Sequence, residues 1–261
     1  MFPISLVVIA HNEGKNLERC LRSVFGWVKE IVVVINDCTD DTQQIALSFH
    51  AHVIEHPWSN YAEQRNFAIR CAHEDWILRL DADEVLTEDL KLAIENFLKR
   101  SDKDLYSVCF CKRQNAYFGK FLRYGFSQDS IPVLMKKDSV HWEGIVHEKL
   151  LYSKKAFRLQ GVVQHYTESS VKETLQKQIK YAQLMAVSAS SKSYWNIMRK
   201  ILFNPGAEFI RHYILGMGFL DGFAGFYYAV LRSYYTFMKY VLALEQKNGC
   251  LKKTPKLEDK Y

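Results

Sequence analysis

Residues 76–84 of this 261-residue chain have the sequence WILRLDADE, a largely apolar run that ends in three carboxylates. A short apolar segment followed by polar residues predicts a buried strand, here residues 76–80. Alternate residues of an extended backbone point the same way, so Asp81 and Asp83 are expected to share one site. Paired carboxylates beside a dry strand end favour a cation such as Mg²⁺ or Mn²⁺. The same acids would also suit the positive end of a following helix.

The segments that precede this strand alternate between strand and helix patterns. Continuous apolar runs at residues 4–10 and 30–35 predict strands covered on both faces, and a shorter strand is expected at residues 52–55. Asn60 and Glu63 have the spacing of a helix capping box. Helices are predicted at residues 17–28, 40–49 and 60–72. This rhythm argues for a parallel, doubly wound sheet.

Polar clusters follow three of the predicted strands. They are His-Asn-Glu at residues 11–13, Asn-Asp at residues 36–37 and Asp-Ala-Asp-Glu at residues 81–84. Open parallel sheets bind ligands outside the carboxyl ends of their strands. We therefore expect the three clusters to converge on one binding site.

After about residue 100 the regular alternation ends. Shorter strands are predicted at residues 106–111, 131–135, 140–147 and 158–165, and a helix at residues 168–190. We expect this half to complete the sheet and to bind a second ligand.

Composition limits the classes of protein. Hydrophobic residues make up 48% of the chain and charged residues 25%, as in a globular protein with one substantial core. The net charge is +6, and residues 209–261 hold eight basic and four acidic residues. Since no zinc-finger spacing or RNA-recognition signature accompanies this charge, nucleic acid is not an expected partner. Six cysteines are too few for a disulfide scaffold and fit a reducing cytosol.

Four segments in this order resemble the inverting glycosyltransferases of family 2. They are IAHNE at residues 9–13, INDCTDDT at 35–42, AEQRNFAI at 62–69 and DWILRLDADE at 75–84. The resemblance implies an α/β fold of the GT-A type, with a doubly wound, mainly parallel sheet and a helical C-terminal extension. It also implies a divalent cation, Mg²⁺ or Mn²⁺, and a nucleotide-sugar donor.

The resemblance assigns nucleotide-sugar binding to residues in several segments. These residues are His11, Asn12, Glu13, Asn36, Asp37, Gln64, Arg65, Asn66 and Asp81. Family members often carry acids where Ile35 and Asn36 stand, so the base contact falls to Asn36 or Asp37. Arg65 would also suit a surface salt bridge. Asp83 would coordinate the metal, with Asp81 and His165 as further candidate ligands.

The second half resembles a bacterial branch of the family that includes lipopolysaccharide core glucosyltransferases. The similarity lies in WEGIVHE at residues 142–148, in a His-Tyr pair at 165–166 and in GFLDGFAGF at 218–226. Inverting transfer needs one carboxylate to take a proton from the acceptor hydroxyl. Glu148 is the first candidate, with Glu143 and Asp129 as alternatives. His147 and His165 also suit purely structural roles.

By this resemblance the protein would transfer glucose from a UDP-sugar to a hydroxyl of a lipopolysaccharide core or another lipid-linked glycan. Residues 1–200 would form the GT-A domain, with a donor half to about residue 100 and an acceptor half to residue 200. Two alternatives stay open, a sugar-phosphate nucleotidyltransferase and a non-catalytic assembly protein that binds nucleotide sugars. The first lacks a glycine-rich basic loop after the first strand, and the paired Asp81 and Asp83 argue against the second.

Residues 201–261 form an aromatic, basic tail with an amphipathic helix. Its apolar stripe comprises Leu220, Phe223, Tyr227, Val230, Tyr234, Phe237, Val241 and Leu244. Charged residues interrupt it too often for a transmembrane span of about twenty residues. The helix either packs on the catalytic domain or in a homo-oligomer, or it lies on an anionic membrane. The second interpretation makes the protein cytoplasmic and peripheral at the inner face of the cytoplasmic membrane.

Overall fold

The computed structural model describes residues 1–144, 148–166 and 170–248. The described residues form two compact units, those of 1–114 with those of 129–166, and those of 115–128 with those of 170–248. The helix predicted at residues 168–190, which was expected in the GT-A domain, thus groups with the tail. His147 and the end of the strand predicted at 140–147 lie outside the described residues.

The first part of the first unit is the predicted parallel sheet. Its strands are β1 (Phe2–Ala10), β2 (Val28–Ile35), β3 (His52–Glu55) and β4 (Trp76–Arg79), and its helices are α1 (Gly14–Arg22), α2 (Thr42–Ser48), α3 (Tyr61–Cys71) and α4 (Glu88–Leu98). The strands pair in the order β3-β2-β1-β4, all parallel. Helix α1 ends earlier than predicted, because a turn through Gly26 at φ 76° leads into β2.

Among the described residues, seven strands follow the parallel part, and most of them extend this sheet through antiparallel pairs. They are β5 (Glu84–Leu86), β6 (Tyr106–Tyr117), β7 (Lys120–Phe121), β8 (Asp129–Lys136), β9 (Val140–Glu143), β10 (Lys149–Tyr152) and β11 (Lys155–His165). Beyond β4 the order is β8-β6-β11-β5, and β9 with β10 forms a separate two-stranded sheet. The predicted α/β architecture with a mainly parallel sheet is confirmed.

Both faces of the parallel strands are buried. Leu6 and Val8 of β1 belong to one hydrophobic cluster, whereas Val7 between them belongs to another. Alternate residues of a strand face opposite sides of the sheet, so each face has its own core. This double burial explains why the strands are continuous apolar runs.

The second unit is helical. Its helices are α5 (Val171–Ser190), α6 (Tyr194–Ile210) and α7 (Gly222–Lys247), and a π-helical turn at Arg211–Leu215 and a 3₁₀ turn at Gly218–Asp221 connect the last two. Ser170 and Glu173 form a capping box that starts α5. Tyr240, Leu242 and Ala243 of α7 pack with residues of α5 and α6. The tail helix is thus part of a helical core.

The helices α6 and α7 are separated by a bend of 70°. Among the described residues no single helix combines the length and apolar character needed to cross a membrane, whereas the bent pair passes that test when its two arms are taken together.

The segment 115–128 is fastened to the connection between α6 and α7. The buried carboxylate of Asp221 accepts hydrogen bonds from the amides of Arg123 and Tyr124, each at 2.9 Å. The amide of Gly125 donates to the carbonyl of Gly216 at 2.7 Å. A carboxylate that accepts two backbone amides is well satisfied, so burial of Asp221 stabilises the segment.

A second polar network joins β1 and β2 to the loop before β4. Glu30 of β2 accepts hydrogen bonds from the hydroxyl of Ser5 and from the amide of His73, the latter at 2.8 Å. Burial alone raises the pKa of Glu30, but the hydrogen bonds from His73 and Ser5 outweigh it and hold the pKa below its usual value. The ionised carboxylate therefore contributes to folding stability.

Glu30→Gln is expected to lower the free energy of unfolding by about 1–2 kcal/mol at pH 7, because hydrogen bonds to a charged acceptor are lost. A carboxylate with a lowered folded-state pKa stabilises above its unfolded pKa of about 4.3, and this contribution is lost as the pH falls through the folded value. Urea denaturation at a series of pH values should therefore show the difference shrinking below about pH 4. Glu88→Gln, at an exposed pair with Lys91, is the control with little effect. An undiminished difference in acid would contradict the assignment.

Candidate active site

The acidic segment predicted from the sequence lies between β4 and β5. Asp81 and Asp83 are partly exposed, whereas Glu84 is fully buried. The amide of Glu84 donates to the carbonyl of Asp81, and the Glu84 carboxylate accepts from the Asp81 amide, both at 2.9 Å. The buried Glu84 thus fixes the turn from the protein interior. The two aspartates remain at the edge of the sheet.

Two arginines support this turn. Arg79, buried at the end of β4, forms an ion pair with Asp81 and lies 3.6 Å from Glu84. Arg113 of β6 lies 3.6 Å from the other oxygen of Glu84. Neither arginine was predicted from the sequence as part of the site. The signal for Arg79 was present, since it stands in an apolar strand two residues before Asp81 and faces the same way.

The charges of the turn shift the pKa values of its acids in opposite directions. Burial raises the pKa of Asp81, but Arg79 and then Arg65 outweigh it and hold the pKa well below its usual range. Burial also raises the pKa of Glu84, and the neighbouring Asp81 adds to this, while Arg79 and Arg113 offset only part. The neighbouring arginines thus keep Asp81 ionised.

Asp83 meets His165 across the sheet. Strand β5 pairs antiparallel with β11, and Glu84 stands opposite His165. The Asp83 Oδ2 and His165 Nε2 atoms are 3.0 Å apart, and the amide of Tyr166 donates to the Asp83 carbonyl at 2.9 Å. Pairing of these two strands therefore brings a predicted metal residue and its predicted partner together.

The donor set of Asp83 and His165 suits a divalent cation. A carboxylate oxygen is a ligand for both Mg²⁺ and Mn²⁺, whereas an imidazole nitrogen suits a transition-metal ion such as Mn²⁺ better than Mg²⁺. Mg²⁺ commonly takes its remaining ligands from substrate phosphates and water. Within residues 1–144, 148–166 and 170–248, no three His, Cys, Asp or Glu residues group as a complete metal site. Asp83 and His165 would therefore supply only part of a coordination shell. The carboxylate of Asp81 contacts Arg79 and Arg65.

Arg65 of α3 connects the acidic turn to Glu148. Its guanidinium lies 3.5 Å from Asp81 and 3.1 Å from Glu148, and stacks 4.8 Å from the ring centre of Trp142. The side chain is only 13% exposed, so this is not a pair on the open surface. A candidate base from the second half of the sequence is thereby held beside a candidate donor-binding acid.

The other candidate bases have different surroundings. Glu143 is exposed at the end of β9 and lines a cleft of about 230 Å³ together with Asn60 and Glu63. Asp129 is largely exposed and pairs with Arg113 at 3.1 Å. These surroundings do not include Arg65. Because the three candidates have different surroundings, substitution of each one can distinguish among them.

The first two polar clusters are in direct contact. His11 Nδ1 lies 2.7 Å from the carbonyl oxygen of Asn36, and the side-chain oxygen of Asn12 accepts from the amide of Thr39 at 2.8 Å. Asn12 and Asp37 have positive φ angles of 54° and 42°. Asn and Asp tolerate this left-handed conformation, which often marks functional loops. The third cluster follows β4, the other parallel neighbour of β1.

The remaining predicted residues of these clusters make local contacts. The Glu13 amide donates to Thr42, and its carboxylate accepts from Asn16. Asn36 is buried and Asp37 is exposed, so Asp37 is the accessible carboxylate of that turn.

Gln64 and Asn66 are buried, and their amide groups hold the chain. Gln64 bonds to His56 through both its oxygen and its nitrogen. Asn66 accepts from the amide of Trp142 at 2.9 Å and donates to its carbonyl at 2.8 Å. Their predicted contact with the nucleotide stays a prediction, whereas their role in joining α3 to neighbouring segments follows from these bonds.

Arg79→Met is expected to destabilise the protein by about 3–5 kcal/mol, because it leaves Asp81 and Glu84 near each other without their buried counter-charge. Chemical denaturation at neutral pH measures the loss. Arg70→Met, at an exposed pair with Glu63, should change the free energy of unfolding by less than about 0.5 kcal/mol. Equal stabilities of the two variants would show that Arg79 is not needed to support the turn.

The fold and the acidic strand end together are those of a nucleotide-sugar transferase with a GT-A fold. The chain belongs to glycosyl transferase family 2, whose sequence profile matches residues 5–170. It is therefore a glycosyltransferase, and the nucleotidyltransferase and assembly-protein alternatives are set aside.

Relatives extend over nearly the whole chain. An uncharacterized glycosyltransferase of Rickettsia typhi is 29% identical over 95% of this chain and 90% of its own length. The lipopolysaccharide core biosynthesis glycosyltransferase LpsC of Rhizobium meliloti is 26% identical over 98% of this chain and 97% of its own length.

Among solved structures, glucosyl-3-phosphoglycerate synthase from Mycobacterium tuberculosis in complex with UDP is similar at a TM-score of 0.37 and 17% identity, covering 52% of this chain and 57% of that one. Its complex with Mn²⁺, UDP and glucosyl-3-phosphoglycerate is similar at a TM-score of 0.35 and 20% identity, covering 41% and 43%.

Proposed function

We propose that this glycosyltransferase moves glucose, with inversion, from UDP-glucose to a hydroxyl of a lipopolysaccharide core or another lipid-linked glycan. It would act in the cytoplasm, at the inner face of the cytoplasmic membrane. The observation that carries the proposal is the bridge that Arg65 makes between Asp81 and Glu148. The similarity to the lipopolysaccharide core enzyme of Rhizobium meliloti over almost the full length supports the acceptor class.

The donor would lie along the carboxyl ends of β1, β2 and β4. The loops at residues 11–13 and 36–37 bind the uracil and ribose, and Asp81 faces the ribose or diphosphate. Asp83 and His165 would hold the divalent cation. When bound, the cation neutralises the negative charge that develops on the departing UDP. Arg65, which carries a permanent positive charge, adds to this neutralisation.

Glu148 is the proposed general base. Its carboxylate takes the proton of the acceptor hydroxyl as that oxygen attacks the anomeric carbon from the face opposite UDP. The bond from Arg65 Nη1 at 3.1 Å positions the carboxylate. Because the same guanidinium touches Asp81, donor binding and proton removal depend on one side chain.

Release of UDP from different nucleotide sugars, with and without a lipid-linked acceptor, tests the proposal. UDP-glucose with acceptor and Mn²⁺ should give the highest rate, and Asp83→Ala should weaken Mn²⁺-dependent UDP-glucose binding at least about tenfold in calorimetry, since the diphosphate then meets uncompensated acids. Asp89→Ala, at an exposed position of α4, is the matched control. Equal affinity with and without Mn²⁺ would remove the metal from the proposal, and another preferred donor would replace glucose.

Glu148→Gln should leave UDP-glucose affinity within a few-fold and lower turnover by about 10²- to 10⁴-fold, the usual worth of a positioned base. Single-turnover kinetics with acceptor present separates the chemical step from binding. Glu143→Gln and Asp129→Asn are the matched comparisons, and both should retain turnover. Near-normal turnover of the Glu148 variant, with a large loss in one of the others, would transfer the role to that residue.

A further inference from the structure

The connection between α6 and α7, residues 210–226, exposes an apolar surface that we call the elbow. The two helices meet there at 70°, through the π-helical turn, Met217 in the left-handed conformation and the 3₁₀ turn. Seven apolar side chains of the elbow are between 47% and 69% exposed, namely Ile210, Ile214, Leu215, Met217, Phe219, Leu220 and Phe223. Single exposed apolar residues are ordinary, but a continuous group of this size marks an interaction site.

The segment 115–128 adds exposed aromatic side chains to the apolar surface of the elbow. Exposed Phe118 packs 5.2 Å from Phe223 and 4.9 Å from Tyr227, measured between ring centres. Exposed Phe126 lies beside the guanidinium of Arg211 at 5.8 Å. The surface is therefore shared by two segments that are far apart in sequence.

The shape of the elbow is closely built. A Cβ atom on Gly218 would stand 2.7 Å from the carbonyl oxygen of His212, and one on Gly225 would stand 1.9 Å from that of Gly218. His212 is itself buried and bonds to the Gly125 carbonyl at 2.5 Å and to Glu208 at 3.1 Å. Since backbone contacts this close require glycine, the apolar side chains are held outward by a fixed frame.

At the start of α7, the face that is buried is the reverse of that expected for a surface helix of a water-soluble protein. Its small residues Ala224, Gly225 and Ala229 are buried, while Phe223 and Val230 of the apolar stripe are exposed. A surface helix normally turns its apolar stripe toward the protein core. Here the stripe is left for a partner outside the unit.

Charge around the elbow indicates the kind of partner. Lys120, Arg123 and Arg211 are exposed. The two acids in residues 115–128 and 206–226, all of which the structure describes, are engaged, because Asp221 is buried under two amides and Glu208 pairs with His212 and Arg211. A second copy would bring like charges together, whereas anionic lipid headgroups would neutralise them.

We propose that the elbow, with Phe118 and Phe126, inserts into the surface of an anionic phospholipid membrane. The apolar side chains enter the boundary between headgroups and acyl chains, and the three cations contact the headgroups. The inference deepens the proposed function, on which its purpose rests, because a lipid-linked acceptor is met at such a surface.

Sedimentation of the full-length protein with vesicles rich in phosphatidylglycerol tests the insertion. The triple variant Leu215→Ser, Leu220→Ser, Phe223→Ser should bind these vesicles at least about tenfold more weakly, which corresponds to about 1.4 kcal/mol. The triple control Phe25→Ser, Leu92→Ser, Leu105→Ser changes side chains that are 51–57% exposed in the first unit and should bind like the wild type. High salt should weaken wild-type binding only in part, since apolar insertion is not screened.

Calorimetry with UDP-glucose and Mn²⁺ on the same variants separates the two proposals. Intact donor binding by the elbow variant shows that it is folded, and loss of vesicle binding then supports the insertion. Undiminished vesicle binding by that variant, or an equal loss in the control, would overturn it. So would a wild-type dimer that ignores vesicles and that the elbow substitutions dissociate. Vesicle binding by a wild-type protein that does not bind UDP-glucose would contradict the proposed function but support the insertion of the elbow into the membrane.

Discussion

The burial of opposite charges beside the end of β4 is the constraint on which the candidate active site depends. Arg79 and Glu84 are withdrawn from water, and neither is tolerable there without the other charges of the turn. Since Arg79 and Asp81 alternate along an extended backbone, the guanidinium meets Asp81 from the same side. Asp81 is thus bound to the protein's own cations, and Asp83 is the carboxylate that lies next to His165. The two acids of the motif are chemically distinct before any substrate binds.

The parallel half of the fold could be predicted from local patterns because both faces of its strands are buried. The run at β1 and the apolar spacing of α1 left few alternatives, and the predicted strand β3 has the observed bounds. Among the later strands, β6, β8, β9 and β11 were located from the sequence, whereas β5, β7 and β10 were not. Their order could not be predicted, since β8 lies between β4 and β6 through antiparallel pairs that join distant residues. The periodicity of a local segment does not indicate which distant strand it pairs with.

The positions of the polar clusters could be predicted from topology, whereas the contacts of their side chains could not. Parallel strand ends place the polar clusters at one edge, but whether an amide there meets a ligand or the backbone is a matter of fit, as Asn66 and Trp142 show. The stripe on α7 was predicted, whereas the choice between its packing on protein and its exposure to a membrane was left open. Small residues such as Ala229 count for little in an apolar pattern, yet they allow helices to approach closely and so decide which face is buried.

The segment 115–128 has a consequence for how the two units can be separated. The chain passes from one unit to the other after residues 114, 128 and 166, so no single cut divides them. A chain that stopped at residue 166 would keep Arg123 and Tyr124 but lose Asp221, which accepts from both of their amides. The helical unit is therefore no detachable appendage. A descendant of this protein that dispensed with its helices would also have to shorten β6 and rebuild the turn that follows it.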